Sequence, residues 1–182
     1  MLVRKFMVMM TAIVALVAGP VLTGSASAAP ESQPSPYTAQ ALDAGLTSPQ
    51  AAQLQQQVDS YLAKHSEARQ VSANKLAIGG GSLTLAAPGQ QPARDLAAPS
   101  NSALLPCASG HLCIRDGYGN NYDYYYCGYY SFGGAGDGTF NNNQSWGTRA
   151  RFYNSNGTER WSHVAKGSGT ASWTPVYYIR PC

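Results

Sequence analysis

The chain's apolar positions change rhythm along its length. Residues 6–22 are almost unbroken apolar sequence, broken near its end by Gly19-Pro20. Between 48 and 65 the period becomes helical: Leu54, Val58, Tyr61 and Leu62 fall on one stripe, and Gln53, Gln55, Gln56, Gln57 and Asp59 occupy the other faces. That spacing predicts an amphipathic helix. Ser48 is placed to cap it, Pro49 suits its first turn, and Lys64-His65 suits its C-terminal end. Residues 71–78 and 82–86 flank Gly79-Gly80-Gly81 and predict a hairpin. Beyond residue 103 the period is two. Ala150 and Phe152 alternate with Arg149, Arg151 and Tyr153, and Trp161 and His163 alternate with Arg160, Ser162 and Val164. Asn156-Gly157 between these strands predicts a type I′ turn. Short strands are also predicted at 112–115, 122–126 and 176–180, separated by Gly- and Asn-rich turns. The fold class that follows is all-β, a small Greek-key sandwich or barrel.

This rhythm divides the chain into three regions. Arg4 and Lys5, the apolar run and Ala26-Ser27-Ala28 have the order of a signal peptide over 1–28, cleaved to start the mature chain at Ala29 or Pro30. No later stretch is apolar enough to span a bilayer, so the expected product is soluble, extracellular and free of the membrane after cleavage. Residues 29–102 form an N-terminal extension: a disordered Pro-, Ser- and Gln-rich start, the helix, the hairpin, and a linker from 88 containing Pro88, Gly89, Pro92 and Pro99. One helix and one hairpin bury too little to make a core alone, so the extension is expected to be separable. Residues 103–182 form the domain.

Composition narrows the function. The formal net charge is +3, and Arg4 and Lys5 leave with the signal, so no basic stripe suggests nucleic acid. Cys107, Cys113, Cys127 and Cys182 all lie in the domain and read as two disulfides of an exported protein. Four cysteines allow three pairings. The expectation is Cys107–Cys113 with Cys127–Cys182, which closes one local loop and ties the last residue to the middle of the domain. The chain carries no GxSxG elbow, HExxH pair or phosphate loop. His65, His111 and His163 are scattered, and Asp116, Asp123, Asp137 and Glu159 are the domain's carboxylates, two of them in turn-like sequence. An enzyme, a cofactor or a resident metal is therefore not expected, and neither is a partner subunit. A glycan-binding face on Tyr122, Tyr124 and Tyr126 is the alternative use of the tyrosine-rich strand, and an antimicrobial toxin suits the same cysteine count. Neutral ligands at Asn142 and Ser145 are a weak calcium alternative, because they offer the ion little charge.

Several motifs carry a family resemblance: Pro106-Cys107-x5-Cys113, the tyrosine strand ending in Cys127-Gly128, Asn142-Asn143-Gln144-Ser145, Arg149-Ala150-Arg151-Phe152-Tyr153, Trp173-Thr174-Pro175-Val176 and Ile179-Arg180-Pro181-Cys182. With them the chain resembles the secreted actinobacterial inhibitors grouped with the Streptomyces metalloproteinase inhibitor. The resemblance implies a βγ-crystallin-like fold and inhibition of a secreted peptidase, most plausibly a zinc metallopeptidase. That family's reactive bond lies in a second short disulfide-closed loop. Here Cys127 and Cys182 are far apart, so its reactive residues have no counterpart. The loop from Cys107 to Cys113 is the expected substitute, with Leu112 filling an apolar specificity pocket and His111 approaching the zinc as a neutral ring.

Overall fold

A computed structural model describes residues 35–98 and 106–182. The expected signal peptide lies outside the described residues, as do the first residues of the extension and the end of its linker. No described helix is long and apolar enough to cross a membrane.

Helix α1 (Pro36–Asp43) occupies sequence whose composition suggests disorder, because Ser35 caps it by accepting the Thr38 N–H at 3.2 Å and Pro36 suits its first turn. Helix α2 (Ser48–Leu62) begins one residue earlier than expected. Thr47 is its cap, and Gln50 reaches back to the Thr47 N–H to complete a capping box. Ala51, Leu54 and Val58 form its buried stripe. Strands β1 (Arg69–Gln70), β2 (Lys75–Ile78) and β3 (Gly81–Thr84) follow, the last two being the expected hairpin.

The rest of the chain supplies β4 (Leu112–Arg115), β5 (Asn121–Tyr124), β6 (Tyr130–Ser131), β7 (Asp137–Asn142), β8 (Arg149–Tyr153), β9 (Glu159–Val164), β10 (Gly167–Ser172) and β11 (Tyr178–Arg180). They make two antiparallel sheets, ordered β1-β2-β3-β5-β4-β7-β10 and β6-β11-β8-β9. β7 returns beside β4 and β11 beside β8, which closes two Greek keys. The third strands, β6 and β10, each cross to the opposite sheet. The all-β sandwich with an N-terminal extension is therefore the architecture. Its core is aromatic: Phe140 on one sheet meets Phe152 and Trp161 on the other at 6.5 and 5.4 Å between ring centroids. Trp173 is fully buried beneath them and donates to the Arg115 carbonyl at 3.1 Å.

The β8–β9 turn differs from the expected type I′. The Gly157 N–H donates to the Asn154 carbonyl and the Asn154 N–H to the Thr158 carbonyl, so the loop has three residues, Ser155-Asn156-Gly157. Gly157, at φ +79°, takes the left-handed position of that longer turn.

The packing also departs from a separable extension. Residues Pro34–Cys182 form one compact unit. β3 pairs along its whole length with β5, so the hairpin continues the sandwich's sheet. The glycine run makes this approach possible. A Cβ on Gly81 would collide with the Asp123 carbonyl oxygen, and one on Gly80 would enter the Tyr130 ring. The described part of the linker is held as well. Asn74, fully buried, donates to the Leu85 and Arg94 carbonyls and accepts the Leu96 N–H at 2.7, 2.8 and 3.1 Å. The Ala93 N–H donates to the Gly119 carbonyl, across to the sandwich.

Candidate functional site

Both expected disulfides are present, Cys107–Cys113 and Cys127–Cys182. The pair fits a chain that folds in an oxidising compartment.

The first bridge closes a loop whose tip, Ala108-Ser109-Gly110, is exposed. The tip is pinned at its base. The Gly110 N–H donates to the Asn143 carbonyl at 2.8 Å, the Asn143 N–H to the His111 carbonyl at 2.9 Å, and the Asn143 side-chain amide to the Cys107 carbonyl at 3.0 Å. Leu112, expected to fill a target's pocket, does not belong to this surface. It opens β4, a central strand, between Tyr124 and Asn142, and it is fully buried. Strand alternation puts His111 outside and Leu112 inside.

The same alternation corrects the tyrosine face. Tyr122 and Tyr124 point into the core, and burial holds both phenols well above the ordinary tyrosine pKa. Asp123, between them, faces outward. The strand ends at Tyr124, because the amides of Tyr125 and Tyr126 both converge on the Gly80 carbonyl at 2.9 and 3.1 Å. Tyr126 is thereby exposed together with Tyr125, not with Tyr122 and Tyr124. No flat platform of the three expected tyrosines exists.

What gathers instead is a ridge of His111, Asp123, Tyr125 and Tyr126 beside the disulfide loop. His111 Nδ1 lies 2.6 Å from Asp123 Oδ1, with both side chains about a quarter exposed at 26% and 28%. The His111 ring packs on Tyr125 at 5.2 Å, and Tyr125 on Tyr126 at 4.6 Å and 57°. A carboxylate accepts only, so Nδ1 is the donor of the short bond and Nε2 of the neutral ring carries the lone pair. Nε2 makes no hydrogen bond among the described residues and is not among the sealed, unpartnered atoms. Sequence reasoning found His111 and Tyr126 but missed Asp123 and Tyr125. The register of β5 against β4, with Tyr122 opposite the buried Ile114, is the signal that sorts the two faces.

Two other clusters have structural explanations. Asn142 is fully buried, gives its amide N–H to the His163 carbonyl and receives Gln144 Nε2 on its oxygen at 3.0 Å. With that oxygen used internally and Ser145 exposed, the calcium alternative loses its ligand pair. Among the described residues no group of three or more His, Cys, Asp or Glu is arranged to hold a metal ion. Ser131 Oγ lies 3.3 Å from His65 Nδ1 and 3.2 Å from Glu67 Oε1, a set that superficially suggests a relay. Both contacts of His65 use the same ring nitrogen, whereas a Ser–His–acid relay requires the two different nitrogens. The set ties the end of α2 to β6.

No family model, curated protein or solved structure matches the chain.

Proposed function

We propose that the chain is an exported inhibitor of a zinc peptidase, which blocks its target by docking and carries out no reaction. One observation carries the reading: the 2.6 Å bond from His111 Nδ1 to Asp123 Oδ1, at the base of an exposed, disulfide-closed loop. Zinc-ligating histidines characteristically donate their second ring N–H to a carboxylate, which fixes the tautomer and raises the basicity of the ligating nitrogen. His111 has that partner already in place, and its Nε2 lone pair is available to the metal of a target with an open coordination position. A loop fixed by a bridge and by Asn143 loses little entropy on docking. Tyr125 and Tyr126 supply rigid amphipathic contact area of the type that dominates protein interfaces. The two rings are tilted by 57°, which suits a protein groove better than the flat face of a sugar. The family resemblance supports inhibition in general, and the paired cysteines and the N-terminal sequence support export.

The test is titration of the purified protein against thermolysin-like zinc peptidases, with a serine peptidase as control. The expected result is inhibition of the zinc enzyme alone. His111→Gln should weaken it at least about thirty-fold, as for an interface hot spot. Asp123→Asn, which leaves the ligand but loosens its orientation, should weaken it about tenfold. Inhibition unchanged by His111→Gln, or none of any zinc peptidase, would remove the reading.

A further inference from the structure

On the outer face of the larger sheet, strand register gathers polar side chains into two neighbouring rows. Arg115 on β4 stands directly between Asn121 on β5 and Thr139 on β7. In the next row Cys113 on β4 is followed by Asn141 on β7 and Ser168 on β10. Leu112 and Ile114 point into the core, so alternation turns Cys113 and Arg115, with their cross-strand partners, to the outside. Together they line a depression of about 340 Å³, bordered by the Cys107–Cys113 bridge.

The neutral side chains lining it are unspent. Elsewhere among the described residues, Asn74, Asn120, Asn142, Asn143, Asn154 and Asn156 all use their side chains in hydrogen bonds. Asn121 and Asn141 do not, and neither do the hydroxyls of Thr139 and Ser168. Local turn and strand chemistry gives these four no partner, although they lie side by side.

Arg115 is the charged group of the depression, and it has no counter-ion. Its side chain takes part in no hydrogen bond and none of the ion pairs among the described residues, and its Nε is sealed from solvent without a partner. The neighbouring carboxylates do not serve it. Asp116 is spent on the Tyr118 and Asn120 amides and the Asn120 side chain, and Asp123 is bonded to His111. Asp137 lies beyond ion-pair reach. A buried donor left unmade is costly. A guanidinium fork in such a place selects a carboxylate.

From this arrangement we infer that the depression is a binding site for a sugar acid, with the carboxylate on Arg115 and the hydroxyls on Asn121, Thr139, Asn141 and Ser168. Its volume lies at the small end of the roughly 300–1,000 Å³ of small-molecule sites, but its lining reverses their usual apolar character. Of the lining side chains, only the disulfide and Phe140 offer apolar contact. A fatty or aromatic acid would leave the amides and hydroxyls unpaired, whereas each of them can donate to, or accept from, a sugar hydroxyl. The inference does not rest on the inhibitory reading, because the His111 ridge uses none of these five side chains.

The experiment titrates the mature protein with glucuronate, with glucose, which lacks the carboxylate, and with acetate, which lacks the hydroxyls. Calorimetry reads the affinity, and the NMR signal of the Arg115 Nε–H reads the contact. Glucuronate is expected to bind at least about tenfold more tightly than either control and to shift that signal. Arg115→Gln should abolish the preference for glucuronate over glucose. Thr139→Glu, at an exposed position directly across from Arg115, should supply the missing carboxylate from within, raise the melting temperature and block glucuronate. Thermal unfolding of each variant checks that it is folded. A trigalacturonate arm distinguishes the sources: equal affinity assigns the site to a free sugar acid, and tighter binding of the trimer assigns it to a residue of an acidic glycan chain. No binding of glucuronate, equal affinity for glucose, acetate binding as tightly, or binding that folded Arg115→Gln retains would each overturn the proposal.

Discussion

The two parts of the molecule contribute to one core by different means. Residues 35–98 use aliphatic side chains, among them Leu54, Val58, Leu76, Leu83 and Leu96, and contain no cysteine. Residues 106–182 use rings, including Tyr122, Tyr124, Phe152 and Trp173, and carry both disulfides. The extension is not self-sufficient. It is held by the β3–β5 pairing, by buried Asn74 and by the fit of Gly80 and Gly81 to the sandwich. The sandwich, in turn, has its β5 edge covered by β3. One part is stapled covalently and the other by register, so they should fail under different insults.

The largest expected effect falls on the stapled part. The Cys127–Cys182 bridge spans 55 residues and Cys107–Cys113 only 6. Loop entropy gives about 4 kcal/mol for the first and about 2 kcal/mol for the second. In urea unfolding, a double serine replacement of Cys127 and Cys182 should therefore cost about twice what the same change at Cys107 and Cys113 costs. The second replacement should instead cost inhibition, because it frees the loop beside His111.

A smaller and more local effect is expected at the junction. Gly81→Val puts a branched side chain against the Asp123 backbone, where nothing flexible can give way. The expected cost is about 3 kcal/mol, the upper part of the range for overpacking. Limited proteolysis should then release the extension while the rings of the sandwich keep their near-UV circular dichroism. Coincident loss of both would show that the two parts fold as one cooperative body.

The smallest effect is electrostatic. Glu67, at the tie between α2 and β6, has its carboxyl held below the usual glutamate pKa, first by a backbone hydrogen bond and then by Ser131 and His65. A depressed carboxylate contributes stability that is complete above its unfolded pKa and is lost as pH falls through the lower folded value. Glu67→Gln should lower stability slightly at neutral pH and converge with the unmodified protein well below pH about 4, which flattens the acid limb. A group this exposed moves the curve little.

Local chemistry made part of this legible in the sequence. Leu112–Arg115 and Arg149–Tyr153 stand out by composition or alternation, and they appear with the same or nearly the same bounds. Asp137–Asn142 and Gly167–Ser172 do not, because Asp-Gly-Thr-Phe-Asn-Asn and Gly-Ser-Gly-Thr-Ala-Ser resemble loops. They are strands because Phe140 has a place in the aromatic core and because β10 must be small where it passes Phe140 and His163. Helix α1 was hidden by the surrounding prolines and serines, although Ser35-Pro36 is itself a start signal. The site was half legible. The short disulfide loop marks His111, but the partner that orients it, Asp123, follows from β4–β5 register, which is a tertiary fact.

We propose that Asp123 presents the His111 ring to a target's zinc. It is tested most directly by a cobalt-substituted thermolysin-like peptidase, whose visible d–d absorption reports the metal's ligands. Adding the wild-type protein should change the band intensity and position as a nitrogen ligand enters, and His111→Gln should leave the spectrum of the free enzyme. A wild-type complex that inhibits the enzyme with its cobalt spectrum unaltered would contradict the claim.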